Sequence, residues 1–381
     1  MTCRLEFVLL ASQPGTNLRQ LCRRFGISTK TGYKWRQRYA TDCGAGLVDR
    51  SRKPHLSPTR ITGPITGEVI ALYRQWGWGG RKLRRRLLDL GHPAVPAAST
   101  CTEIVRRAGL YEREQPAATP CQRFSRASPN ELWQMDFKGD FATQRGSRCY
   151  PITVLDDHSR FNVLLAPAGN QTGQTVRAFL QAAFATYGLP EAILCDNGPP
   201  WGAPEPVCPH TTFTIWLLQL GVRVRHGRPR HPQTQGKDER FHRTLHRELL
   251  SRHTWRDLAH CRELFPGYRE RYNCERPHDA LGGDTPVRHY RPSPRALPGT
   301  LSAPEYAAGT TVQLVRSCGM ITFGGQTWYI GRAFAGLPVG LRPSPQSDGQ
   351  WEVWFAHEII GRIDLHTPAK PKHTLRSIYA T

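Results

Sequence analysis

Three acidic residues, Asp136, Asp196 and Glu239, sit where the surrounding pattern would hold a carboxylate rigidly. Asp136 lies inside the apolar run 132–137, where an isolated charge is costly unless it is paired or bound to a cation. Asp196 ends the run 192–195 and is followed by Asn197 and Gly198, a turn at the carboxyl end of a strand, where α/β sheets tend to carry ligands. Glu239 falls early in a long helical pattern that follows the Pro- and Gly-bearing loop 229–236. If the two strands are neighbours, their carboxylates converge and the helix can bring Glu239 over them. Two unit charges ~4 Å apart repel by about 4 kcal/mol at an effective dielectric of about 20, so such a cluster calls for divalent cations. Oxygen-only donors suit Mg²⁺ or Mn²⁺ rather than zinc. Two such ions, roughly 3.5–4 Å apart, would activate a water or a 3′-hydroxyl and stabilise the leaving oxygen of an in-line phosphoryl transfer.

Other residues compete for these roles. Taken singly, Asp196 reads as a turn former and Glu239 as one end of a solvated helical pair; Asp136 in a strand is harder to dismiss. Asp156 and Asp157 precede His158, Ser159 and Arg160 in an expected hairpin turn, where Asp bonds to backbone. Asp238 points about 100° away from Glu239 around the helix and is expected to face solvent. His231, His242 and His246 have no Cys at ligand spacing, which argues against zinc. The 11 Cys show no C-x-x-C pair, so reduced thiols filling apolar gaps are expected rather than a disulfide framework.

The elements that would position these residues follow from periodicity and punctuation. Residues 17–39 outline a helix-turn-helix, with a break at Gly26 and a second helix capped by Ser28 or Thr29. Helices are expected at 65–75, 81–90 and from Ser99 or Thr100 to Gly109. Residues 132–139, 150–156 and 161–166 read as a three-stranded meander. After it, helices at 172–187, 211–220 and 233–252 alternate with strands at 192–196 and 222–225, which implies a mixed α/β sheet of five strands. Beyond Pro292, short strands at 311–316, 326–330, 351–356 and 359–365 point to a small β-barrel. The expected organisation is a helix-turn-helix module at 1–48, a basic linker at 49–63 and a second helical module at 64–114. A linker at 115–130, the α/β core at 131–290 and the barrel at 291–381 complete it.

Charge points to the partner. The 381 residues carry 52 Lys plus Arg against 30 Asp plus Glu, a formal net charge of +22, and such an excess favours polyanions through counterion release. Arg supplies 44 of the 52, a bias that GC-rich coding alone would spread evenly. Residues 1–130 nevertheless hold 23 basic against 8 acidic side chains, whereas 131–290 hold 20 against 17 and 291–381 hold 9 against 5. The binding face is therefore expected in the N-terminal third. No apolar run reaches the roughly 18 residues of a membrane span, and the run 7–11 is too short for a signal peptide, so a cytoplasmic, nucleoid-associated protein is expected.

The segments LWQMDF (132–137), LDDHSR (155–160), LCDNGPP (194–200) and RHPQTQGKDERFHRTL (230–245) resemble the integrase core of bacterial insertion-sequence transposases. These are relatives of retroviral integrases, with a ribonuclease-H-like fold and an Asp, Asp, Glu triad. GISTKTGYKWRQRY (26–39) resembles the helix-turn-helix that such transposases carry. The resemblance implies a polynucleotidyl transferase in which Asp136, Asp196 and Glu239 bind two Mg²⁺ or Mn²⁺ ions. It also implies double-stranded DNA as partner, both element ends and target, and a homo-oligomer assembled on that DNA. The 42 residues between Asp196 and Glu239 are a longer gap than the commonest pattern, read as a longer active-site loop.

DNA contacts are expected from Thr29, Lys30, Tyr33, Lys34 and Arg36 on the second helix of the first module, as recognition helices make them. Arg81, Lys82, Arg84, Arg85 and Arg86 suit phosphate backbone more than base reading. Lys237, Arg240 and Arg243 are spaced to line one side of the Glu239 helix, beside the scissile phosphate. Two other functions remain open at this stage: a metal-dependent nuclease without strand transfer, and a helix-turn-helix regulator with an inert core. Retention of all three acids argues against the regulator.

Overall fold

The computed structural model describes residues 3–49, 61, 63–111, 125–202, 210–227, 236–367 and 373–375. The chain divides into two compact units, Met1–Ile61 and Thr62–Thr381.

The first unit packs α1 (Cys3–Ala11), α2 (Leu18–Arg24) and α3 (Thr29–Asp42) around Phe7, Val8, Leu18, Leu21 and Cys22. Asn17 caps α2 by accepting the Gln20 N–H at 3.2 Å, and Ser28 caps α3 by accepting that of Thr31 at 3.1 Å. α3 presses on the other two helices at Gly32, where a Cβ would fall 2.5 Å from Cys22 Sγ and 2.9 Å from Phe7 Cζ. The first helix was not expected from the sequence, because its apolar stretch is short and carries no capping signal.

The second unit begins with α4 (Gly63–Trp76), α5 (Gly80–Asp89) and α6 (Ala98–Arg107), closed around Val69, Leu72, Leu83, Leu87 and Cys101. The main sheet then forms from β1 (Trp133–Phe137), a two-residue β2 (Phe141–Ala142), β3 (Arg148–Asp156) and β4 (Asn162–Ala168). α7 (Gly173–Tyr187), β5 (Ala192–Cys195), α8 (Thr212–Gln219) and β6 (Arg223–His226) follow. β1, β3 and β4 pair antiparallel as the expected meander, and β1, β5 and β6 pair parallel. The sheet is thus mixed, with five longer strands and β2 added at the edge of β3. α9 (Gly236–Glu248) carries Glu239, and α10 (Leu258–Cys274) packs on β4 with Phe265 and Tyr268 buried.

The C-terminal strands are β7 (Thr311–Leu314), β8 (Met320–Phe323), β9 (Gln326–Tyr329), β10 (Pro338–Pro343), β11 (Gln350–Phe355), β12 (Glu358–Asp364) and β13 (His373–Thr374). They form two sheets, in the orders β12-β11-β10-β7 and β13-β9-β8. The expected barrel is not closed by hydrogen bonds among the described residues. The strands at the seam are four residues long, and the 3₁₀ turn Arg332–Phe334 separates β9 from β10. The two sheets share their apolar interior with the main sheet: Trp328, Phe334, Val353 and Ile363 belong to the same buried cluster as Trp133, Leu217 and Val224.

Candidate active site

Asp136 is the fourth residue of β1, paired across the ladder with Thr153 of β3. On its other side β1 runs parallel to β5, with Gln134 level with Leu194. Asp136 and Asp196 each stand two residues beyond that pair, so parallel pairing brings the two acids to the same end of neighbouring strands. The Asp136 side chain is 26% exposed. Burial and then the charge of Asp196 push its carboxyl up to about 6, with Glu239 adding to the rise, while the Phe137 N–H at 2.8 Å and Lys138 oppose it. Asp196 stands at the exposed mouth of its strand. Desolvation by the surrounding chain still raises its carboxyl, against the Gly198 N–H at 3.2 Å and His226.

Glu239 lies exposed in the first turn of α9, and its charge reaches Asp136. One turn on, His242 is 8% exposed, with Nε2 2.8 Å from Thr153 Oγ1. Thr153 spends its single hydroxyl proton on the Asp136 carbonyl at 3.1 Å, which leaves the imidazole Nε2 as the donor to Oγ1. Burial lowers the His242 pKa to about 3, so its Nδ1, 3.9 Å from Asp136 Oδ2, meets that acid as a neutral ring. Among the described residues no three His, Cys, Asp or Glu side chains stand together as a ready cage for a metal ion. The donor set on the sheet is nonetheless all oxygen, partly desolvated and mutually repelling, which fits a hard divalent cation. His231 lies outside the described residues, and His246 is exposed.

Several expectations need correction. Asp238 does not face solvent: it is 0% exposed, both carboxylate oxygens lack a hydrogen-bond partner, and burial followed by the charges of Asp136 and Asp157 raises its pKa. The signal was in the sequence, since 238, 241, 245 and 249 form one helical stripe and the last three are apolar. Asp156 and Asp157 do occupy a turn, where Asp156 Oδ1 accepts the Ser159 N–H at 2.8 Å, but both are buried. Lys237 does not line the exposed side of α9 with Arg240 and Arg243. Its ammonium pairs with the buried Asp157 carboxylate, and its side chain is 16% exposed.

The proposed DNA contacts divide in the same way. Thr29, Lys30, Tyr33, Lys34 and Arg36 are all exposed on α3. Of the five basic residues on α5 only Arg81 and Arg84 are exposed. Arg85 pairs with Asp89 at 3.1 Å and Asp284 at 2.9 Å, and Arg86 with Glu275 at 2.7 Å. Lys82 is half-buried, its pKa lowered to about 8 by burial and then by Arg276. Arg85 and Arg86 are spent on holding α5 against the segment 275–284.

Known families match in the same order as these elements. A helix-turn-helix domain matches residues 4–55 and a homeodomain-like domain 31–105. Two integrase core domains match 126–232 and 220–286, and the C-terminal domain of IS481 family transposases matches 310–371. In the order and kind of these domains the chain resembles insertion-sequence transposases with an integrase-type core. It is 28% identical over 255 residues to the uncharacterized 39.2 kDa protein of insertion element IS476 from Xanthomonas euvesicatoria, covering 64% of this chain and 69% of that one. It is 30% identical over 213 residues to the uncharacterized 31.7 kDa protein of insertion element IS407 from Burkholderia multivorans, covering 56% of this chain and 64% of that one. The alignments therefore span about two thirds of these relatives. Among solved structures, a chain of the simian T-cell lymphotropic virus intasome aligns at 18% identity with a TM-score of 0.38, over 79% of this chain and 99% of that one. No helix among the described residues is long and apolar enough to cross a membrane.

Proposed function

We propose that this chain is a transposase that binds the inverted-repeat ends of its element through residues 1–48 and 64–114. Residues 131–290 then hydrolyse a terminal phosphodiester and join the freed 3′-hydroxyl to target DNA. The observation that carries the reading is the placement of Asp136 and Asp196 at the same end of adjacent parallel strands, where the second raises the first. Asp136, Asp196 and Glu239 are the residues that would hold Mg²⁺ or Mn²⁺. When bound, two such ions supply an activated oxygen nucleophile and stabilise the leaving oxygen. Arg240 and Arg243, exposed on the same helix as Glu239, orient the phosphodiester by charge-assisted bonds. Neutral His242 bonds to Thr153 and stands 3.9 Å from Asp136 Oδ2 without neutralising it. Because two element ends must be processed together, the working form is a homo-oligomer assembled on DNA.

The test incubates purified protein with a labelled element-end duplex, a target plasmid and Mg²⁺ or Mn²⁺. Joined products are expected from the wild type, and a loss of at least a thousandfold from Asp136→Asn. Cleavage without joining would favour a nuclease. Equal activity in Asp136→Asn would sink the triad.

A further inference from the structure

Asp157 carries a carboxylate that the proposed chemistry leaves unused, and it is 0% exposed. Its Oδ1 accepts Nε2 of Gln134 at 2.7 Å and Nζ of Lys237, its Oδ2 accepts the Arg126 N–H at 2.8 Å, and its carbonyl accepts Lys237 Nζ at 3.2 Å. Its own N–H reaches the Leu132 carbonyl at 2.9 Å, just before β1.

The two side chains it grips are not arbitrary. Gln134, wholly buried, lies on β1 two residues before Asp136 and so on the same face of the strand. Lys237 lies two residues before Glu239 in the first turn of α9. One buried acid therefore ties together the strand that carries the first triad residue and the helix that carries the last, at equivalent offsets from each. A buried ion pair is weak evidence for stability, since an apolar contact of the same volume often serves as well. Its distinctive contribution is directional: the ammonium must meet the oxygens of Asp157, and this fixes the rotation of the first turn of α9 relative to β1. Lys237 could reach a DNA phosphate only by giving up its bonds to Asp157.

Resting on the strand-joining reading above, we infer that Asp157 is a positioning residue that sets the reach between Asp136 and Glu239 through Lys237. The full-length protein is compared as wild type, Asp157→Asn, Lys237→Met, Lys237→Arg and the double variant Asp157→Asn/Lys237→Met, with Asp136→Asn as baseline. Mn²⁺ binding to the free protein is read by electron paramagnetic resonance, and melting temperature and joining rate are measured alongside. Asp157→Asn and Lys237→Met are each expected to weaken Mn²⁺ binding at least tenfold and to slow joining at least tenfold. The double variant should be no worse than either single variant, Lys237→Arg should recover much of both, and the end-duplex concentration for half-saturation should not move. Wild-type Mn²⁺ affinity in the single variants, independent and multiplicative losses in the double variant, or no recovery with Lys237→Arg would each overturn the inference. If Asp157→Asn fails to fold, Lys237→Met, which keeps the bonds of Asp157 to Gln134 and Arg126, decides it. If the wild type binds Mn²⁺ but joins no DNA, the strand-joining reading fails, while the Mn²⁺ comparison still decides the role of Asp157.

Discussion

α3 and α5 are both basic helices that follow a turn, yet their side chains end in different places. On α3, Lys30, Lys34 and Arg36 stand in solvent with Thr29 and Tyr33. On α5, Arg85 and Arg86 are bound to Asp284 and Glu275, and Lys82 is half-buried close to Arg276, Glu248 and Asp279. The density of positive charge in α5 is the higher of the two, yet less of it is available to a polyanion. What separates the helices is acids nearly two hundred residues away in the chain, and no count of charge over the N-terminal third contains them.

This contrast can be broken by experiment, starting with the largest effect. Lys34→Ala with Arg36→Ala should weaken end-duplex binding at least tenfold and make its salt dependence shallower by about two units, one for each phosphate left without its cation. Thermal stability should hardly change. An unchanged slope would make α3 merely a solvated face. Arg86→Ala should do the reverse, costing about 1–2 kcal/mol of stability by leaving Glu275 without its cation, with no change in salt slope. A shallower slope without loss of stability would return Arg86 to the DNA surface.

The smallest effect concerns Lys82. Its pKa lies lower in the folded chain than in the unfolded one, about 8 against 10.5, so between those values the unfolded state binds a proton that the folded state lacks. Stability should therefore rise with pH across that window, by about 1 kcal/mol between pH 7 and roughly 8.7, and Lys82→Met should abolish this increment in denaturant titrations. A flat profile in the wild type would mean that Lys82 is free in solvent, as the α3 lysines are exposed.

The same division explains what could be read from the chain. The elements carrying the three acids were legible, because apolar runs bounded by turns locate β1 and β5 and helical spacing locates α9. α10 went unread although Cys261, Phe265, Tyr268 and Tyr272 repeat at helical spacing, because Pro266 sits inside it and proline argues for a break. β8 and β10 were missed in Gly- and Pro-rich sequence, where their strand character comes from pairing with β9, β7 and β11. The inward turn of Asp238 could have been inferred from its stripe. The partners of Lys237, Arg85 and Arg86 could not, since each is a long-range contact that only the assembled fold creates.

The interior shared by the main sheet and the C-terminal sheets bears on inheritance. A crossover near residue 291 would separate Phe334 and Val353 from the residues they pack with around Trp133 and Leu217. A recombinant made there would leave raw apolar faces on both halves, prone to clumping before any DNA was met. The main sheet and the strands after it should consequently travel through evolution as a single cassette.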